Sequence, residues 1–259
     1  TENYSRGGGI NCYNSSPRLE NLSIRGNSAQ RGGGISCYNS SPTIEETIIV
    51  SNEADYGGGI NCRENASPII SNVTIKNNTA SQGGGIRCRD DSHAYIENST
   101  IIGNSASQYG GGLYSNNANP NINHSIIVQN SANQGGAVYG RINSNIHIEY
   151  VTISDNNTVY LDAGTQFLFD GGVNFNINGT LIAIGTESDS IIFDNYGDER
   201  WRGITLDNAS DETTFEYVRI SGATKDDGGG MSLSASNPTL THVTISNNTA
   251  DIYGGGMYL

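Results

Sequence analysis

Lysine is almost missing from this 259-residue chain. Only Lys76 and Lys225 carry it, and 26 acidic residues against 13 basic ones leave a formal charge of −13. That balance argues against nucleic acid or an anionic membrane as partner, because both are recognised through concentrated positive charge. Long apolar runs are missing too. No stretch approaches the roughly 18 residues that span a bilayer, and no signal segment opens the chain. Proline (5), methionine (2) and tryptophan (1) are scarce. Nowhere do apolar residues recur at helical spacing, which excludes ankyrin and tetratricopeptide repeats. A leucine-rich repeat would need a Leu-x-x-Leu-x-Leu signature, which is also absent. The remaining composition, rich in Gly, Asn, Ser and Thr, would suit a disordered chain if its apolar residues were not so regularly placed.

Regularity is what the chain has in abundance. Triple glycines begin at Gly7, Gly32, Gly57, Gly83 and Gly110, a worn copy begins at Gly135, and the motif returns at Gly228 and Gly254. The step of about 25 to 27 residues lies in the range of solenoids. Aligning the copies produces columns. Ile10, Ile35, Ile60, Ile86, Leu113, Val138, Met231 and Met257 form one. Two positions on stand Cys12, Cys37, Cys62 and Cys88, continued by Ser115, Gly140, Leu233 and Leu259. Leu19, Ile44, Ile70, Ile96, Ile122, Ile148 and Leu240 make a third, and Ile24, Ile49, Ile75, Ile101, Ile127, Ile153 and Ile245 a fourth.

Alternation at period two marks strands with one buried face. Each repeat holds three short strands (Ile-x-Cys, Pro-x-Ile and Val-x-Ile) separated by turn formers. The expected fold is all-β: a single-stranded right-handed parallel β-helix of roughly ten rungs, with like side chains stacked at about 4.8 Å. Asn27, Asn52, Asn78, Asn104, Asn130, Asn156 and Asn248 lie three residues after the last strand isoleucine of their rungs. An amide at that bend can bond to the amide of the next rung and form a ladder. Ala29, Ala54, Ala80, Ala106, Ala132 and Ala250 follow two residues later, where only a small side chain is accommodated. The glycines let the chain turn tightly and let backbones approach closely. They are not a phosphate cradle, since no helix follows them.

Three zones emerge: regular rungs over 1–157, irregular rungs over 158–227, and regular rungs again over 228–259, where the chain stops inside a repeat like a piece of a longer, multi-module protein. In the irregular zone Ile204 and Leu206 take the places of Ile and Cys, and Phe215, Val218 and Ile220 match later columns. The zone either continues the solenoid or caps it. Trp201 is expected to pack there rather than serve as a sugar platform.

The pattern GGGIxCxxSSPxIxNxTIxxNxA resembles the right-handed parallel β-helix repeats of the pectin-lyase-like class. It is also similar to the repeats of polymorphic outer-membrane proteins, although those favour Phe-x-x-Asn where this chain has Ile-x-x-Asn. The middle stretch, GTLIAIGTESDSIIFDN followed by WRGITLDN, resembles segments of large secreted β-helix proteins. The resemblance covers nearly the whole chain and implies a secreted or cell-surface, prokaryotic setting. It leaves activity open, because the fold hosts lyases, hydrolases, esterases and adhesins.

The catalytic sets of such enzymes are incomplete. Asp-Asp occurs at Asp90–Asp91 and Asp226–Asp227, without Asn-Thr-Asp or Gly-His-Gly, and reads as solvated turns. Glu20 and Glu45 stack one rung apart, a distance any acidic column in a solenoid yields, so the match to a glycosidase pair carries little. A surface calcium ion between them, or splayed side chains, is the simpler expectation, and no other cofactor is implied. The four histidines share no metal-ligand spacing. The cysteines have two readings: paired disulfides, which adjacent rungs would tolerate, or a buried thiol ladder filling the core. The outward positions of the first strand carry Tyr13, Tyr38, Arg63, Arg87, Arg89, Tyr114, Tyr139 and Arg141. Arginine forks suit uronate or sulfate, and tyrosine faces suit sugar rings, so this is a candidate glycan strip; an ordinary exposed β face is the alternative. The functional expectation is a non-enzymatic stalk or adhesin segment that contacts glycan. The second reading is a lyase or hydrolase working on acidic polysaccharide in a side groove. Ice binding lacks the regular Thr-x-Thr columns it needs.

Overall fold

In the computed structural model, which describes residues 5–149, 151–154, 158–169, 171–177 and 179–259, the chain winds as a parallel solenoid with no helix among those residues. Two sheets are ten strands deep, so a face makes nine steps along the axis, and every strand pairing is parallel. The register is the one the columns demand. Ile10 pairs with Ile35, and Cys12, Cys37, Cys62 and Cys88 follow one another rung by rung. Ile35, Ile44, Ile49 and their successors are fully buried and form one continuous core. The thiols are free and buried, which is the ladder and not the paired disulfides. The S–H contact with Cys37, together with desolvation, pushes the Cys62 thiol well above the ordinary range.

Three strands per rung is corrected to four in the regular part. A typical rung runs Ile35–Tyr38, Thr43–Glu45, Ile48–Val50 and Glu53–Tyr56. The fourth strand has no apolar alternation, only a small residue stacked on its like, as in Ala29 on Ala54. It ends at the glycine triplet, where space decides the sequence. A Cβ on Gly33 would lie 2.5 Å from the Glu53 carbonyl oxygen and 2.6 Å from that of Gly58. Gly32 meanwhile turns the chain with φ +65°, a conformation costly for any residue with a side chain.

The asparagines close the third bend. Asn52 donates from Nδ2 to Asn78 Oδ1 (3.0 Å) and to the Ile24 carbonyl (3.0 Å), while the same Asn78 oxygen accepts the Asn52 backbone N–H (2.9 Å). Asn78 and Asn104 repeat the pattern, Asn130 accepts from Asn104 and donates to the Ile101 carbonyl, and all four amides from Asn52 on are buried. Every donor and acceptor of an interior amide is thereby matched, which makes its burial tolerable. Asn156 lies outside the described residues. Asn248 does not extend this ladder. Ala223 holds the equivalent place one rung earlier, and Asn248 bonds to the Ala223 N–H (2.9 Å) and the Ile220 carbonyl (2.9 Å).

One feature of the columns is corrected. Beyond Val138 the first sheet continues through Thr158–Asp162 and Thr180–Ile184, then through Thr214–Glu216 and Thr239–Thr241. Met231 and Met257 instead stand on Ile204 and Phe175 in a separate four-stranded sheet. Leu240 likewise lies over Phe215 and Ala183, on the face that began with Ile10, and not over Leu19. The glycine edge has moved round the coil by one face. The fourth strand is dropped after Ser131–Gln134 and returns at Thr224–Asp227 directly behind the second-sheet strand Val218–Ser221, so the glycine edge now leads into Met231–Ser234. Around the change the core is filled by aromatics. Trp201 is fully buried, stacked on Phe169 (centroids 4.3 Å apart), and its Nε1 donates to the Ser221 carbonyl (2.7 Å).

Candidate functional site: two troughs beside the glycine edge

Where the fourth strand bends through its glycines into the next first strand, a shallow outer trough runs along the axis. Its floor is the second residue of each first strand. Its wall is the residue preceding each glycine triplet. From Arg87 to Tyr139 the floor column is large, after Asn11, Ser36 and Asn61 in the earlier rungs. Arg87 lies on the Tyr56 ring (4.7 Å) and beside the Tyr114 ring (5.5 Å). Tyr114 stacks on Tyr139 (5.7 Å), Tyr139 on Tyr160 (5.2 Å), and Tyr109 packs against Tyr139 (4.8 Å). The stack seals the trough. Arg87, Tyr114 and Tyr139 are only 2%, 2% and 4% exposed, so these three members of the candidate strip are interior packing and not open surface. They do point away from the core, but the fourth strand covers them, and a pattern of alternation cannot reveal that cover. Desolvation holds the Arg87 pKa down to about 10 and raises that of Tyr139, with Asp162 adding to the rise.

The other five strip residues reach solvent. Tyr13 and Tyr38 stack at 5.1 Å, with the Arg6 guanidinium over Tyr38. Asp90 sits between two arginines, 2.8 Å from Arg63 and 3.0 Å from Arg89, and Glu64 adds a second contact to Arg63 at 3.3 Å. Arg141 faces Asp162 at 3.8 Å. These forks are already met by the protein's own carboxylates. Glu20 and Glu45 are likewise bridged by Arg18, at 3.0 and 2.8 Å. Among the described residues no three His, Cys, Asp or Glu side chains converge as a cation site.

The second trough lies against the rotated glycine edge, and it is open. Its floor is Thr205 and Ser232, its wall Asp227, and with Asn174 and Arg202 they line a cleft of about 650 Å³. Lys225 reaches into it and donates to Thr205 Oγ1 (2.5 Å) and Ser232 Oγ (3.0 Å). Thr205 in turn donates to Asn174 Oδ1 (3.1 Å). Burial lowers the Lys225 pKa, and the neighbouring Arg202 charge lowers it further. The Asp226–Asp227 pair, expected as a solvated turn, ends the strand Thr224–Asp227. Asp226 is exposed, whereas Asp227 Oδ1 is buried with no donor. The sequence held one signal for this site. Lys225 pairs with Ala250, in the column where other rungs carry alanine.

Nine steps of parallel strands around a single apolar core define a parallel β-solenoid of the pectin-lyase-like kind. Residues 3–143 match the family described as a right handed beta helix region, and the chain belongs to that family. Comparison with curated proteins and with solved structures gives no match.

Proposed function

We propose that this chain is a rigid, non-enzymatic segment of a longer extracellular or cell-surface protein, a prokaryotic stalk or adhesin that touches glycan along its solvent-facing strip. The observation that carries the reading is the unbroken hydrogen-bonded ladder from Asn27 to Asn130, running beside in-register Ile and Cys columns. Matching every rung to the next makes a rod. Nine steps at about 4.8 Å give roughly 43 Å of stiff length, and the sealed first trough adds side-chain packing along one flank. Tyr13, Tyr38, Arg63, Arg89 and Arg141 are the strip residues that an external ligand would meet; a surface calcium ion could add to such contacts on the acidic faces. Small-angle scattering should give an elongated particle with a stiff axis of about this length. Glycan-array binding should fall in an Arg63→Ala/Arg89→Ala double variant. A compact scattering profile would overturn the rod, and unchanged array binding would overturn the strip.

One observation favours a second reading, a lyase or hydrolase acting on acidic polysaccharide: Lys225 is a basic side chain with a lowered pKa in a side cleft beside two aspartates. Incubation with uronate-containing polysaccharides, scored for unsaturated or new reducing ends, tests it. Product formation that disappears in Lys225→Ala would establish the enzyme and displace the scaffold.

A further inference from the structure

The open cleft is the regular block's trough with its contents exchanged. Thr205 and Ser232 stand where Arg87, Tyr114 and Tyr139 stand, each following the inward residue of its first strand. Asp227 stands where Tyr56 and Tyr109 stand, immediately before a glycine triplet. Short side chains in both columns at these rungs leave the trough empty up to Tyr253 and Tyr258, which resume large residues one rung on (centroids 6.2 Å apart), and lengthening the alanine column to Lys225 puts an ammonium group inside it. Two polar groups there lack complements. Lys225 uses two of its three N–H donors on Thr205 and Ser232, which leaves one. Asp227 Oδ1 is buried and accepts from nothing, a costly state for a carboxylate oxygen.

A ligand for this place must offer both acceptors and donors. A free anion would meet Asp226 and Asp227, and a bare cation would meet Lys225 and Arg202. A hydroxyl group donates and accepts at once. Tyr258, stacked on Tyr253 (6.2 Å), borders the same cleft with an aromatic ring, and the volume of about 650 Å³ falls within the range of small-ligand sites. We propose that the cleft binds a neutral sugar residue presenting two adjacent hydroxyl groups, Asp227 accepting from the diol and Lys225 donating to an oxygen of the same ring.

The site is separate from the outer strip and does not depend on it. Titration calorimetry of the whole chain with mannotriose, cellotriose, galactotriose and trigalacturonate tests the proposal. At least one neutral trisaccharide should bind, and Lys225→Ala and Asp227→Asn should each weaken it by about tenfold or more, the scale of a lost charged hydrogen bond. Both substitutions keep the fold readable: the first restores the alanine of its column, the second preserves shape, and thermal unfolding checks each. The Arg63→Ala/Arg89→Ala variant should bind the trisaccharide as the parent does. Absence of binding by all three neutral sugars, or affinity unmoved by both cleft substitutions, would overturn the proposal. So would binding of trigalacturonate alone, tightened by Asp227→Asn. If neutral sugars fail while scattering still shows the rod, the scaffold reading survives without this site.

Discussion

The two troughs occupy equivalent places on the same scaffold and have opposite fates. Beside the first glycine edge, Arg87, Tyr114 and Tyr139 fill the space, with a half-buried Tyr56 against Arg87, until almost no water reaches those three. Beside the second, Thr205, Ser232 and Asp227 leave it open, and Lys225 enters from the alanine column. Both lie beside a glycine triplet that follows a bulged fourth strand, so the difference lies in the side chains three columns carry at Thr205, Lys225, Asp227 and Ser232, before Tyr253 and Tyr258. A solenoid can thus convert a packed flank into a cleft without altering its winding. The asparagines differ in the same sense: buried and linked amide to amide from Asn52 to Asn130, but half-buried and bonded only to backbone groups at Asn248, whose counterpart one rung earlier is Ala223.

Breaking the ladder should show the largest contrast. Asn104→Ala removes the acceptor of the Asn78 backbone and side-chain amides and the donor to the Ile75 carbonyl, all of them buried. Stranding several such groups should cost about 3 kcal/mol or more in denaturant unfolding. Asn248→Ala strands only the Ala223 N–H and the Ile220 carbonyl in a half-buried setting, and about 1 kcal/mol is expected. Equal losses at the two positions would remove the distinction between the ladders.

The troughs themselves give the next contrast. Arg87→Ala opens a void between Tyr56 and Tyr114 and leaves Asn61 Oδ1 without its donor, at a cost of about 2 kcal/mol. Arg202→Ala, on an exposed side chain of the open cleft, should move stability by less than about 0.5 kcal/mol. A large loss at Arg202 would mean that the second trough is also held by packing.

The smallest effect is one of pH. Because the folded-state pKa of Lys225 is lowered from the ordinary 10.5, there is a window below 10.5 in which the unfolded chain holds a proton the folded chain has released. Stability should therefore rise with pH across that window, relieving a cost that is present in full below the folded pKa. Lys225→Ala should flatten that segment of the stability profile, as measured by thermal unfolding in alkaline buffers. An unchanged slope would show that the ammonium is not desolvated.

Much of the fold was legible because stacking writes the same residue at the same place in every rung. Ile, Cys and Asn columns at a step of about 25 to 27 residues translate directly into register. The fourth strand was not legible. Its residues face no apolar core on either side of an alternation, so period two, the signal for a half-buried strand, never appears in it. The site was less legible still. The strip positions were rightly placed outside the core, but outward direction is not exposure, and the cover over Arg87 and Tyr139 comes from strands remote in sequence. Lys225 was visible as the break in an alanine column, though nothing local connects it to Thr205 and Ser232.

By itself, the sequence determined the coil, its period, its core and its in-register thiols and amides, because each depends on contact with the equivalent residue one turn away. Tertiary structure alone decided which outward side chains meet water and where the glycine edge runs after residue 158. Both depend on which strands lie side by side around the axis: the fourth strand is dropped after Ser131–Gln134 and re-enters at Thr224–Asp227 behind a different sheet, with no change to the motif within a rung.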